Sequence, residues 1–269
     1  MFLKSKRLQA QECLWQLSTT LKNITMDNSM KLYWELVFKR QTNNELLREL
    51  HNPIRQYEKE MIDGAILDIG CGQSPFLLDY LSTDREIIAI DNEQIQLDFL
   101  KKRVESEKSA TLKNWSYLNL NFPKDDLPDL TYSLIIFSNL LHFFTLKECV
   151  EIGKIIANKS TKGTLIYVGV HSVKFYANNP SKSNNNDYFK HYFTIRDLDK
   201  VFAGHLFERI YYADIDKSDS RSERDLAEEW LDKDIEADGI TDPSQRDLMK
   251  KNYLKNKRQS DIIAVYRKK

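Results

Sequence analysis

Two glycines, Gly70 and Gly72, stand one residue apart in the aliphatic run AILDIGCGQSPFLLDYL (65–81), although the 269-residue chain has only eight. A strand that ends in Gly-x-Gly and opens a helix is a nucleotide-binding arrangement. The glycines make the turn tight and let a ligand approach the backbone. The helix N-terminus then offers free N–H groups to the ligand's polar atoms. Asp91 closes the next apolar run, EIIAID, at the ~20-residue offset from which a carboxylate accepts hydrogen bonds from ribose hydroxyls. A dinucleotide is the weaker fit. Its fingerprint wants a small residue where Pro75 stands, for close helix–strand packing, and Gln73 and Ser74 add bulk where a diphosphate favours bare glycine.

Two histidines could add chemistry. His142 directly follows LIIFSNLL, and His171 ends TLIYVGVHS. Both fall at carboxyl ends of expected strands, where parallel sheets place their sites. Imidazole titrates near neutrality, so either could act as a base or orient a substrate. For His142 a packed histidine bonded to a loop carbonyl is the slightly preferred reading. His191 has a weaker claim, and His51 and His205 are expected at the surface. Cys13, Cys71 and Cys149 show neither metal-ligand spacing nor a disulfide framework, which fits a reducing compartment. Cys71 lies inside the glycine turn itself, so it is not placed as a nucleophile.

These residues need a scaffold of alternating elements. AILDIG, EIIAID, WSYLNLNF, YSLIIFSNLLHFF and TLIYVGVHS read as strands one to five. Helices are expected over PFLLDYLST, QIQLDFLKKRVES and LKECVEIGKIIANKS. Nearly continuous apolar strands in this rhythm predict a parallel sheet covered on both faces. LFERIYYADI and SDIIAVYRKK supply a sixth and a seventh strand, and TIRDLDKVFAGH a helix with Thr194 as N-cap. The expected class is therefore α/β: a seven-stranded, mostly parallel, doubly wound Rossmann-like sheet with an N-terminal helical extension. Residues 1–60 would form that extension or lid, and residues 61–269 the main domain. Insertions are expected at about 172–192, rich in Asn, Ser and aromatics, and at 216–259. The second insertion is acidic first (ERDLAEEWLDKDIEADG) and basic after (QRDLMKKNYLKNKR). Solvated helices are the preferred reading, with two helices facing each other through opposite charge as the other.

Forty Lys and Arg balance forty Asp and Glu. No global field therefore recruits nucleic acid or an anionic membrane, although a local patch such as MKKNYLKNKR stays open. No run approaches the ~18 continuous apolar residues of a membrane span, and the start MFLKSKRLQAQECLW has no signal-peptide core. A cytoplasmic protein is expected.

The motifs, taken in order, resemble one family. ILDIGCGQS is similar to the first motif of class I S-adenosylmethionine-dependent methyltransferases, and IIAIDNE to the second. LNLNFPKDDLPDLTYSLIIFSNLLHFF, KGTLIYVG and HYFTIRDLDKVFAGHLFERIYY resemble the stretches that follow, so the likeness runs from Ala65 to Ala213 and includes the terminal strand. It implies S-adenosyl-L-methionine as cofactor and S-adenosyl-L-homocysteine as product. Gly70, Cys71, Gly72 and Gln73 would pass the backbone beside the methionyl part, with Asp68 near its amino group. Asp91 would bind the ribose, with Asn92 beside it. Asn119 or Asn121, with Leu120 between them, would stand at the adenine. Ser138 and Asn139 would line the methionine end. Two departures stand out: Ser74 replaces the usual third glycine, and Ser133 the usual acidic residue before the fourth strand.

The expected reaction is methyl transfer to O or N of a small-molecule acceptor by in-line displacement. A general base is needed only for an acceptor that must lose a proton. SNLL after the fourth strand lacks the Asn-Pro-Pro-aromatic motif of adenine amino methylation. His142 and His171 are the candidate catalytic groups. Tyr192 is a candidate substrate wall, and Tyr33 in KLYWELVF a candidate aromatic cap over the sulfonium, beside Trp34 as an anchor. The aromatic insertion would gate the substrate. An RNA or protein acceptor, or a cofactor-binding module without catalysis, remain alternatives.

Overall fold

The computed structural model describes residues 25–42, 52–107, 112–175, 178, 189–216, 221–254 and 260–269. Those residues group into two compact units.

The larger unit is built on one seven-stranded sheet. Its strands are β1 (Ala65–Ile69), β2 (Ile87–Asp91), β3 (Trp115–Asn119), β4 (Tyr132–Ser138), β5 (Leu165–His171), β6 (Phe207–Asp216) and β7 (Ser260–Lys268). They lie in the order β3-β2-β1-β4-β5-β7-β6. β3, β2, β1, β4 and β5 pair in parallel, and β7 inserts antiparallel between β5 and β6. All five residues of β1 and of β2 are buried, as a strand with both faces covered requires.

Alternate side chains divide between the two faces. Leu67, Ile69, Ile88, Ile90, Ile135 and Phe137 meet Cys149, Ile152 and Ile156 of the helix Leu146–Lys159 and Leu198, Val201 and Phe202 of the helix Ile195–Phe202. Ile66, Ile87, Ala89, Leu134 and Ile136 pack on Leu97, Leu100 and Val104 of the helix Gln94–Ser106 and on Ile54, Phe76 and Leu77. Thr145 and Glu148, and Thr194 and Asp197, form capping boxes that start two of these helices.

The segment after β1 departs from expectation. PFLLDYLST is not an α-helix: a turn leads into the short 3-10 helix Leu77–Tyr80. Ser74 Oγ is committed to Asp68 and also receives the Leu77 N–H, which winds the chain tightly at that point. The helix Ile195–Phe202 is followed by a 3-10 turn, Ala203–His205. Leu206, at φ 67°, makes the left-handed turn into β6. The third strand ends at Asn119, short of the expected WSYLNLNF.

The smaller unit holds the helices Thr25–Thr42, Arg221–Ala237 and Pro243–Leu254. Leu36, Val37 and Leu226 are its buried centre, with Leu32, Trp34 and Trp230 packed around them. The Trp230 indole donates to Ser29 O at 3.0 Å, and Arg40 pairs with Glu229 at 2.6 Å. This grouping cuts across the division at residue 60: the helix Arg221–Ala237 packs Leu226 and Trp230 on the N-terminal helix, and the 3-10 helix Pro53–Glu60 packs Ile54 under the sheet. Opposite charges do face each other here: Lys250 Nζ lies 2.8 Å from Asp232, and Arg246 3.7 Å. Tyr33 meets Trp34 and Trp230 edge-on at 5.2 and 5.8 Å. Among the described residues, no helix is long and apolar enough to cross a membrane.

Candidate active site

β1 hands the chain to the glycine turn at its carboxyl end. Both glycines adopt left-handed backbone, Gly70 at φ 67° and Gly72 at φ 50°, which side chains disfavour. They serve different ends. A Cβ on Gly70 would lie 2.6 Å from Leu140 Cδ1, so that glycine lets the loop after β4 close over the turn. A Cβ on Gly72 would meet nothing within 4 Å. Bare backbone there borders open space, which leaves room for a ligand.

Two carboxylates flank the cradle. Asp91 Oδ2 accepts the Gly72 N–H at 2.8 Å, and Oδ1 accepts the Glu93 N–H at 2.9 Å. Burial nevertheless pushes its pKa up, outweighing those two donors. Asp68 is fully buried. Its Oδ2 accepts from Ser74 Oγ, while Oδ1 is buried without a hydrogen-bond partner among the described residues. Desolvation, opposed by the Ser74 bond and reinforced by the charge on Asp91, lifts Asp68 from 3.8 to about 7. A buried, half-satisfied carboxylate beside an open cradle calls for a donor, and a cationic one answers its charge as well.

The remaining turn residues hold the frame. The Cys71 N–H donates to Ile90 O at 2.9 Å, tying the turn to β2, and burial pushes the Cys71 thiol well up. Gln73 is buried. Asn92 is exposed, next to Asp91. Asn119 Nδ2 and the Leu120 N–H both reach Asp91 O, at 3.2 Å each. Asn121 N–H instead bonds Asp125 at 2.7 Å. Ser133 is buried where the methyltransferases the motifs resemble carry an acid, and its hydroxyl donates to Gly64 O and Ala65 O at 3.1 Å. That serine stitches β4 to the start of β1. Ser138 is the last residue of β4, and Asn139 turns out of it at φ 59°, its N–H on Gly169 O at 2.8 Å.

The two histidines come together at the ends of β4 and β5. Their rings stack with centroids 4.1 Å apart and planes 2° apart. Phe175 stacks on the other side of His171 at 3.8 Å, and Tyr192 follows Phe175 at 6.2 Å. Phe189 stands edge-on to both histidines, at 4.8 and 5.0 Å. His142 is buried, and its Nδ1 has no hydrogen-bond partner among the described residues. Desolvation, with the neighbouring His171 adding, drives its pKa well down and keeps it neutral. Its carbonyl accepts the Lys190 and His191 N–H groups at 2.8 and 3.3 Å, which draws residues 189–193 over the stack. His191 turns aside to Asp197 at 3.6 Å. Residues 176–177 and 179–188 of the aromatic insertion, expected to gate the substrate, lie outside the described residues, as does His51.

Three residues of this region escaped the sequence reading. Ser74 appeared as a replaced glycine and as bulk in the turn, although it is the hydroxyl that holds Asp68. Asp261 of β7 bonds His171 Nδ1 at 2.8 Å. Phe189 had no signal beyond belonging to an aromatic-rich stretch. Asp261 becomes visible only once β7 is known to run antiparallel beside β5, which sets it opposite His171.

A family model described as a methyltransferase domain matches residues 66–159, the span from β1 through the helix after β4. Over that span the sheet unit resembles the class I, Rossmann-like S-adenosylmethionine-dependent methyltransferase domain. Solved structures share its fold. A SAM-dependent methyltransferase of Methanosarcina mazei superposes with a TM-score of 0.56 at 15% identity, over 82% of this chain and 99% of that one. TehB of Haemophilus influenzae gives 0.55 at 14% identity, over 86% and 67%. The cyclopropane synthase MmaA2 of Mycobacterium tuberculosis gives 0.55 at 13%, over 82% and 87%. Comparison with curated proteins finds no match in sequence. The sheet unit thus has fold-level kin with different names, and what it acts on has to be read from its own residues.

Proposed function

We propose that this methyltransferase moves a methyl group from S-adenosyl-L-methionine to O or N of a small-molecule acceptor. The observation that carries the reading is the pairing of an open backbone cradle at Gly72 with the unsatisfied, buried Oδ1 of Asp68. A cofactor with an ammonium group and a ribose suits both carboxylates: Asp68 faces the ammonium and Asp91 the ribose hydroxyls. Ser138 and Asn139 line the methionine end, and Asn119 with Leu120 the base. When bound, the sulfonium supplies an electrophilic methyl group and a good leaving group. The chain's part is to hold the acceptor in line with that carbon and to keep water away. Tyr192 and the aromatic stack supply an apolar wall for the acceptor, and His171 a group able to take its proton. His142, neutral and buried, orients the stack.

Asp91→Ala is the direct test. It removes the ribose contact and leaves the Gly72 and Glu93 N–H groups without their acceptor, each loss costing about 1–3 kcal/mol. Titration calorimetry should show S-adenosylhomocysteine binding at least ~30-fold weaker than in the wild type. Unchanged affinity would remove the ribose from Asp91. Radiolabelled methyl transfer into small-molecule and macromolecular fractions of an extract reads the acceptor class. An RNA acceptor has one basic element in its favour, the helix Pro243–Leu254, but Arg246 and Lys250 there already engage Asp232. Binding with a steep salt slope in a mobility-shift titration would reverse that preference.

A further inference from the structure

The His171–Asp261 pair lies apart from the glycine turn, on β5 and β7 rather than β1 and β2. Register puts the two residues directly opposite each other across the antiparallel pair. The neighbouring rung fixes that register: the Ser172 N–H donates to Ser260 O at 2.9 Å, and the two hydroxyls bond at 2.8 Å. Asp261 Oδ1 takes the His171 Nδ1 position at 2.8 Å, and both side chains are largely buried. With Nδ1 as the donor to a carboxylate, Nε2 is left as the nitrogen with a lone pair. The ring plane is clamped by His142 on one face and Phe175 on the other, with Phe189 against the edge.

We propose that Asp261 is a positioning residue that makes His171 a general base, and that the acceptor is therefore a hydroxyl compound. This rests on the methyltransferase reading above and deepens it. A hydroxyl is a poor nucleophile while protonated, whereas a tertiary amine or a thioether needs no base at all. A held, tautomer-fixed imidazole serves the first class and is wasted on the second. In the step, the acceptor oxygen forms a bond to the methyl carbon and the bond from that carbon to sulfur breaks. The electron pair of the broken bond stays on sulfur, giving the neutral thioether product. The hydroxyl proton passes to His171 Nε2 and then to solvent, and Asp261 stabilises the imidazolium meanwhile. Other titratable groups around the ring are compatible with that charge. His142, from the turn after β4, is kept neutral by burial. Tyr167 of β5 is held protonated by burial and by Asp261. Tyr192 and Lys190 come from the segment drawn over the stack, where Lys190 is exposed.

The test uses full-length protein, radiolabelled S-adenosylmethionine and a panel of phenols and alcohols that includes catechol and 4-nitrophenol, the latter ionising close to neutral pH. Asp261→Asn should lower kcat for the un-ionised acceptors about 100-fold, with S-adenosylhomocysteine affinity by calorimetry within about twofold of wild type. The deficit should shrink to a few-fold for 4-nitrophenol at a pH where it is already ionised, which a merely structural role would not produce. Asp261→Glu should recover part of the rate. Should Asp261→Asn fail to fold, His171→Gln carries the same comparison. A deficit equal for ionised and un-ionised acceptors, or none, overturns the proposal. So does a wild type that binds the product nucleoside yet methylates no hydroxyl compound in the panel. A wild type that does not bind the product nucleoside removes the methyltransferase reading first, and this inference with it.

Discussion

Asp68→Asn should raise the melting temperature at pH 8 while weakening S-adenosylhomocysteine binding about 10- to 100-fold. Asp68 titrates at about 7 in the folded protein against 3.8 in the open chain, because burial disfavours its charge. Below the lower value both states carry the proton and the group is neutral to stability. As pH rises from about 4 to about 7 the unfolded chain ionises and the folded one resists, so stability is lost across that window and stays lost above it. The full effect is on the order of 4 kcal/mol. An amide keeps the Ser74 bond without the charge, but its NH2 enters a site with no acceptor, so a gain of roughly 1–3 kcal/mol is expected. That is a rise of about 3–8 °C at pH 8, shrinking towards zero at pH 5. Binding moves the other way, because a charge-assisted bond to the ligand's ammonium is worth about 1.5–3 kcal/mol. Wild-type binding near neutral pH should also release a proton, as the incoming cation draws the Asp68 pKa down. Calorimetry in two buffers of different ionisation enthalpy reads that proton. Thermal melts of the variant that are lower than wild type at pH 8 by as much as at pH 5 would mean that Asp68 is not a strained carboxylate.

Asp68 also shows which parts of the site a sequence carries. Its place in the motif is local information, since strand, turn and helix follow one another and a Gly-x-Gly turn is written in consecutive residues. The parallel core was legible for the same reason: β1, β2, β4 and β5 are apolar on both faces, so their burial needs no knowledge of neighbours. What could not be read is what depends on register across distance. Asp261 stands ninety positions from His171, and nothing in SDIIAVYRKK distinguishes an edge carboxylate from one paired inside the sheet. The smaller unit failed for a related reason. Its helices have modest apolar stripes, and only their packing shows that Leu226 completes the centre made by Leu36 and Val37. The helix expected after β1 was lost to a single hydroxyl, because Ser74 serves Asp68 and the following backbone at once.

The same turn yields the second large effect, and it separates two glycines that look alike in sequence. Gly72→Val should abolish measurable binding, a loss of more than 100-fold, at a modest cost in stability. The valine Cβ would meet no protein atom within 4 Å, so the folded chain bears only the left-handed strain at φ 50°, about 1–2 kcal/mol for a side chain. The branched carbons would fill the space that the ligand needs. At Gly70 the outcome should be different in kind. There the added Cβ runs into Leu140 at 2.6 Å, so Gly70→Val disturbs the loop after β4 and lowers stability more than Gly72→Val does. Gly163→Ala is the control for strain alone. It has φ 93° and a Cβ site 2.7 Å from Ile62 Cγ2, in the turn that enters β5 at the far end of the sheet. It should lower the melting temperature yet bind S-adenosylhomocysteine as the wild type does. Strain without loss of binding at Gly163, and loss of binding with little strain at Gly72, would locate the ligand against the Gly72 backbone. Retained binding in Gly72→Val would move it elsewhere, whatever the motif resembles.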